Sequence, residues 1–159
     1  MDSLIRILRQ NSAIPRSDLA RQLGHTEEEL TAKIEHLENE GIILGYQAII
    51  NREQWDTDTV TAVIEVRVTP ERGGGFDRIA NRIAGFEEVQ SVYLMSGGHD
   101  LMIVVEGETL REVASFVANK LSTIETIQSC TTHFRLKTYK ENGVLHALDE
   151  APDRLSVTP

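Results

Sequence analysis

The apolar residues of this chain change their spacing near residue 58. Before that point they recur every three or four residues, which is typical of amphipathic helices. After it, the segment TVTAVIEVRVT alternates apolar and polar side chains, which is typical of a half-buried strand. This change of period predicts an N-terminal helical domain followed by a domain that mixes strands and helices.

Residues 1–43 are predicted to form three short helices that include a helix-turn-helix. The third helix should begin at Thr26, which is followed three residues later by Glu29, the spacing of a capping box. The joint between the second and third helices is short, as in a helix-turn-helix motif. The buried stripe of the third helix is expected to be Leu30, Ile34 and Leu37.

The remainder of the chain is predicted to contain a sheet with two helices, in the order βαββαβ of a ferredoxin-like unit. The predicted fold class is therefore α+β, with a winged-helix-like helix-turn-helix domain followed by this ferredoxin-like domain. Two helices on one face of a single sheet leave the other face needing cover, which a second subunit would supply most simply. The predicted segments are a helix-turn-helix domain at 1–43, a hinge at 44–57, a ferredoxin-like domain at 58–140 and a tail at 141–159.

Composition and motifs exclude several classes of function. No apolar run approaches the length of a membrane span and the N-terminus has no signal-peptide pattern, so we expect a cytoplasmic protein with no membrane partner. The single cysteine excludes an internal disulfide and a cysteine zinc cluster, and the five histidines lack metal-ligand spacing. No nucleophile comes with an evident base, so we expect neither an enzyme nor a cofactor.

Four motifs together resemble the Lrp/AsnC family of bacterial and archaeal regulators over roughly residues 3 to 140: SDLARQLG, IEHLENEGIILGY, VYLMSGGHDLMIVVEG and SCTTHF. The resemblance implies binding of promoter DNA through the N-terminal domain. It also implies a small effector, usually an amino acid, held by the C-terminal domain between subunits. Finally, the resemblance implies dimers that build larger assemblies, commonly octamers.

The third helix departs from the family pattern in its charge. Recognition helices of the family usually carry several Arg or Lys residues, whereas residues 24–41 hold six glutamates and one lysine, a net charge of −5. Because phosphate contacts dominate affinity for DNA, this charge should weaken binding. Two interpretations stay open: a salt-sensitive DNA-binding regulator, or a DNA-silent ligand-sensing oligomer that uses its helix-turn-helix for protein contacts. The candidate DNA contacts are Arg16, Arg21, Thr26, Glu28, Thr31, Lys33 and His36.

The turn SGGHD allows two interpretations as well. Its glycines could serve only a hairpin turn that needs positive φ. Alternatively, their backbone amides face the carboxylate of an amino-acid effector, and the following aspartate faces its ammonium group. A histidine stands where the family usually has an aromatic residue, and it could make the response pH-dependent or shape the pocket. In SCTTHF, Cys130 replaces the first threonine of the family's Thr-x-Thr pattern. The candidate effector contacts are Gly97, Gly98, His99, Asp100, Thr131 and Thr132.

Overall fold

The computed structural model describes residues 3–55, 58–70, 73 and 75–146 of the 159-residue chain. The chain divides into two compact units. One comprises Met1–Asn51 with the segment that starts at Tyr139, and the other comprises Arg52–Thr138. Within the described residues, no helix is long and apolar enough to cross a membrane.

The N-terminal part of the first unit consists of three helices, α1 (Ser3–Gln10), α2 (Arg16–Leu23) and α3 (Glu27–Asn39). Helix α2 ends at Gly24, whose φ of 72° lies in the left-handed region that favours glycine. The prediction of three helices is therefore confirmed. They enclose a small core of buried side chains, namely Leu4, Leu19, Ala20, Leu30, Ile34 and Leu37.

The second unit has the predicted order βαββαβ. Its elements are β1 (Val60–Val68), α4 (Asp77–Ala84), β2 (Val89–Leu94), β3 (Leu101–Gly107), α5 (Leu110–Phe116) and β4 (Ile127–Phe134). A short π-helical segment, Val117–Leu121, continues α5. The four strands form an antiparallel sheet in the order β2-β3-β1-β4, so β1 is a central strand.

The two helices pack on one face of this sheet, as the sequence predicted. That face contributes the fully buried Ile64, Val66 and Ile103, which cluster with Ile83 of α4 and Val113 of α5. Alternation along a strand places the intervening residues on the other side. We call that side the open face; its residues include Val63, Glu65, Arg67, Met102, Thr131 and His133.

Several expected details differ from the structure. The segment GYQAII, residues 45–50, suggests a short strand in the sequence, but this is wrong, because no strand is assigned among the described linker residues 44–55. The segment IQSCTTHFRLKTY predicts a fourth strand that runs to Tyr139, but β4 ends at Phe134, and Leu136 beyond it is 95% exposed. The helical spacing of apolar residues predicts that Ala84 and Leu110 are buried, but both are exposed because they stand at helix ends.

A small hairpin begins the segment predicted as a polar tail. It pairs β5 (Lys140–Glu141) with β6 (Val144–Leu145). Its turn residues Asn142 and Gly143 have φ of 48° and 90°, the positive values of a two-residue hairpin loop. The Asn-Gly pair was thus a signal for this hairpin in the sequence. Residues 147–159 of the predicted tail lie outside the described residues.

Candidate functional site

Helix α3 has one buried side and one solvent-exposed side. Leu30, Ile34 and Leu37 are buried, as predicted. At about 100° per residue, the positions opposite this stripe are Glu28, Ala32 and Glu35. The predicted contacts Thr31 and His36 flank this outward side and are exposed, whereas Lys33 is exposed but lies closer to the buried stripe. The most outward surface of α3 therefore carries two carboxylates and no cation.

The start of α3 is fixed by the predicted capping box. The Thr26 hydroxyl accepts from the Glu29 amide at 3.2 Å, and the Glu29 carboxylate accepts from the Thr26 amide at 3.0 Å. The imidazole of His25 lies 3.5 Å from the same carboxylate. Two of the amides left unpaired by the first helical turn are thus satisfied. The Thr26 hydroxyl oxygen thus has a structural role as the acceptor of the helix cap.

The two arginines of α2 do not form one basic patch. Arg16 and Arg21 are five residues apart, which places them about 140° apart around the helix. Arg21 pairs with Asp18 of its own helix. Arg16 lies beside the linker residue Tyr46, whose hydroxyl donates to Glu38 of α3 at 2.8 Å. Partial desolvation raises the pKa of Tyr46, the bond to Glu38 raises it further, and Arg16 opposes both.

The glycines of the β2–β3 turn are not explained by backbone conformation. Neither Gly97 nor Gly98 is among the residues with positive φ, so the interpretation that the turn needs left-handed residues is wrong. A Cβ atom added at either position would meet nothing within 4 Å. Neither strain nor crowding therefore requires glycine here. Because the two glycines have no side chains, their exposed backbone is accessible from solvent.

The same turn is fastened to strand β1 by polar contacts. The Asp100 carboxylate accepts from the Val68 amide at 2.9 Å, and the Asp100 amide donates to the Val66 carbonyl at 3.0 Å. The Arg67 guanidinium donates to the Gly98 carbonyl at 2.5 Å. Asp100 was predicted to face an effector ammonium group; one of its two carboxylate oxygens is already engaged by the backbone of β1.

A carboxylate that the sequence analysis did not single out stands beside this turn. Glu65 of β1 has its Oε2 atom 3.5 Å from His99 Nδ1 and 3.2 Å from His133 Nε2. The side chains are 40%, 31% and 58% exposed, respectively. Alternation along β1 indicated that Glu65 lies on the open face. The approach of the two histidines depends on strand register and on the fold of the turn, which no local pattern encodes.

The two predicted threonines lie on opposite faces of the sheet. Thr131 pairs with Glu65 and shares the open face, whereas Thr132 pairs with the buried Ile64 on the helix-covered side. Cys130 lies on that covered side too, where burial raises the pKa of its thiol. The structure thus brings Gly97, Gly98, His99 and Thr131 to one region and places Thr132 elsewhere.

No group of three or more His, Cys, Asp or Glu side chains in the described part of the chain is arranged to hold a metal ion. The trio of Glu65, His99 and His133 is no exception. The region's chemistry is therefore that of exposed amides, a carboxylate with two imidazoles, and a threonine hydroxyl. Such a set can bind a small zwitterion, since it offers donors for a carboxylate and an acceptor for an ammonium group.

Two sequence comparisons bear on the family of this chain. Residues 61–145 match the family model described as the Lrp/AsnC ligand binding domain. The HTH-type transcriptional regulator YugG of Bacillus subtilis (strain 168) is 43% identical over 98% of this chain and 95% of its own length.

Solved structures share the fold. An AsnC family transcriptional regulator from Agrobacterium tumefaciens superposes with a TM-score of 0.69 at 25% identity, over 92% of this chain and 97% of that one. Transcriptional regulator NMB0573 from Neisseria meningitidis, solved as a complex with L-Met, gives 0.69 at 19% identity, over 89% and 93%. The matched proteins are regulators and not enzymes. The chain belongs to the Lrp/AsnC family of helix-turn-helix transcriptional regulators.

Proposed function

We propose that α3 contacts promoter DNA and that the turn at residues 96–100, with the adjoining open face, binds an amino acid that modulates this contact. Membership of the family supports the general activity, regulation of transcription through a helix-turn-helix. The observation that carries the effector site is the pair Gly97 and Gly98, whose open backbone neither strain nor packing demands.

At the DNA site, the exposed start and outward side of α3 would enter the major groove, as in other helix-turn-helix proteins. Glu28 at that position can accept from a cytosine amino group. Phosphate contacts would come from Arg16, Arg21 and the Thr26 hydroxyl. Thr31, Lys33 and His36 complete the proposed contact set. The carboxylates of α3 oppose binding, so affinity should depend on the two or more copies of the helix in an oligomer.

At the effector site, the amides of Gly97 and Gly98 would donate to the carboxylate of an amino acid. Glu65 is the better acceptor for its ammonium group, because one oxygen of Asp100 already accepts from the backbone of β1. His99 and Thr131 stand on the same side and would line the site. An amino acid is the proposed class of ligand because the related NMB0573 structure is a complex with L-Met.

We further propose that the chain forms a dimer, and that dimers build a larger assembly such as an octamer. The structure supports this with apolar side chains on its surface, including Tyr93 at 49%, Leu94 at 60% and Met95 at 44% exposure. Apolar exposed residues cluster in the linker as well, where Leu44 is 93% exposed. Such exposed apolar side chains are available to contact a second subunit. Effector bound between subunits would then change the spacing of the paired helix-turn-helix units.

A second function has one observation in its favour. The outward side of α3 carries Glu28 and Glu35 without a cation, which suits a protein partner better than a polyanion. In that case the chain would be a DNA-silent sensor of its ligand. The discriminating property is specific affinity for DNA, because a protein contact through α3 requires none.

The test is a fluorescence anisotropy titration with DNA from upstream of the protein's own gene, at about 50 and 200 mM salt, the range over which phosphate contacts weaken strongly. Unrelated DNA of equal length is the control. The proposal predicts specific binding that weakens with salt, and further weakening by Lys33→Glu but not by Lys137→Glu in the other unit. Binding no better than to unrelated DNA, in a folded oligomer, would favour the DNA-silent function.

The effector site is tested separately by calorimetric titration with the twenty amino acids. A side chain at Gly98 would cover the amides without straining the backbone, so Gly98→Val should abolish binding and leave thermal stability nearly unchanged. Gly85→Ala, at the end of α4, is a control outside the site. If Gly98→Val binds amino acids as the native chain does, the turn is not the site.

A further inference from the structure

Glu65, His99 and His133 form a cluster that the proposed function does not by itself explain. One carboxylate oxygen stands within 3.5 Å of both imidazoles, which come from different elements. His99 belongs to the turn between β2 and β3, and His133 to the edge strand β4. A zwitterion needs only one acceptor for its ammonium group. The two histidines therefore add a property beyond recognition.

We propose that protons and the ammonium group of the effector compete for the Glu65 carboxylate, so that effector binding at this site releases protons from His99 and His133. The inference rests on the proposed effector site. Histidine is the side chain that changes charge between about pH 5 and 8. A protonated imidazole at either position pairs with Glu65, and an ammonium group at the same oxygen would lie beside a like charge.

The contacts around the cluster favour this competition. Glu65 is central in the sheet, and its register partners, Met102 on β3 and Thr131 on β4, carry no charge. Its nearby cation on β1, Arg67, is engaged with the Gly98 carbonyl. Among the described residues, His99 and His133 are thus the titratable groups within salt-bridge distance of Glu65. The other ionisable groups of the turn and the open face are Asp100, Tyr93, and, further along the sheet, Glu106, Arg52 and Arg135.

The sign of the pH dependence follows from linkage. A ligand whose binding releases protons binds more tightly as the pH rises. Where one proton is displaced per ligand, affinity changes about tenfold per pH unit, and it levels off once the imidazoles are neutral. We expect amino-acid affinity to fall by roughly tenfold or more between pH 7.5 and pH 5.5, since about one proton or more is exchanged over that range.

The cluster also connects the site to the rest of the sheet. When the imidazoles are protonated, Glu65 holds the turn through His99 and the edge strand through His133. An ammonium group that takes over this carboxylate releases both contacts together. Ligand binding would then affect strand β4 as well as the turn, and the release of protons would be coupled to it.

The experiment is calorimetric titration of the full chain with the panel of twenty amino acids, repeated at pH 5.5, 6.5 and 7.5 for the tightest of them. The expected result is a rise in affinity with pH, a flat profile for the double variant His99→Gln and His133→Gln, and a net proton release seen in buffers of different ionisation enthalpy. His25→Gln is the matched control, because His25 also lies 3.5 Å from a glutamate but in the other unit. An unchanged slope in the double variant would overturn the inference.

A second measurement separates this inference from the effector proposal. The ring resonances of the two imidazoles are followed by NMR in the ligand-free protein, with and without Glu65→Gln. Because both rings lie within 3.5 Å of one Glu65 oxygen, this variant should shift the ring resonances of His99 and His133, while those of His25 should stay unchanged. Resonances unaffected by the variant would overturn the shared-carboxylate cluster whether or not an amino acid binds. Absence of amino-acid binding at every pH, with shifted resonances, would instead overturn the effector site.

Discussion

The carboxylates on the outward side of α3 should limit how tightly the protein binds DNA, and removing their charge should strengthen binding. The change is the double variant Glu28→Gln and Glu35→Gln. Both side chains are exposed and stand opposite the buried stripe of the helix. Glutamine keeps the size and helix propensity of glutamate, so stability should be nearly unaffected.

The size of the effect follows from Coulomb's law. A carboxylate about 8 Å from a phosphate in water is repelled by about 0.5 kcal/mol. Two side chains on each of two helices in a dimer give about 2 kcal/mol, or roughly 30-fold in affinity, before screening. Screening at about 0.15 M salt reduces this energy to under half, which leaves about fourfold. The gain should therefore be larger at low salt.

The assay is the same anisotropy titration, with native and variant proteins compared at two salt concentrations. Glu87→Gln, an exposed glutamate of the second unit, is the control and should change affinity little. Equal affinities of native and double variant at low salt would show that the outward side of α3 does not approach phosphates. Loss of sequence preference with a gain in affinity would show that Glu28 or Glu35 reads a base.

Three further outcomes are expected from the contacts. Thr26→Ala should lower the free energy of unfolding of the first unit by about 1 kcal/mol through loss of the N-cap, measured by urea denaturation, whereas Thr31→Ala should change it by much less. The hydrogen bond from Lys120 lowers the pKa of Glu88 below its usual 4.5, so ionised Glu88 should stabilise the fold at neutral pH, and this contribution should be lost in acid. A pH series of melting temperatures should show this loss in the native chain and not in Glu88→Gln. Asp100→Ala should lower the free energy of unfolding by about 1 to 3 kcal/mol, because it leaves the part-buried Val68 amide of β1 without its acceptor. Asp100→Asn should retain most of that stability, and equal losses for the two variants in calorimetry would contradict this role of the Asp100 carboxylate.

The helical domain could be predicted from the sequence because its signals are local. The capping pattern of Thr26 with Glu29 and the apolar stripe of α3 each lie within one or two turns of the chain. Strand β1 was equally accessible, since its alternation alone separates the covered side from the open side. The linker was misjudged for the opposite reason. An alternating apolar segment predicts a strand only where a partner strand pairs with it, and sequence pattern does not show whether one does.

Only part of the proposed effector site could be predicted from residues that are neighbours in the sequence. From the sequence, Gly97 and Gly98 were proposed as effector contacts, with Asp100 as the carboxylate because that residue is adjacent in the chain. The structure gives one Asp100 oxygen to the backbone of β1 and places Glu65, more than thirty residues earlier, beside the turn. The same register puts Thr131 on the open face and Thr132 on the covered one, although neighbours in sequence seemed equivalent. Register and turn geometry together decide which acceptor an ammonium group would meet, and they bring two titratable imidazoles to that acceptor. The effector site proposed here would therefore respond to acidity as well as to ligand, which the residues of the turn alone would not do.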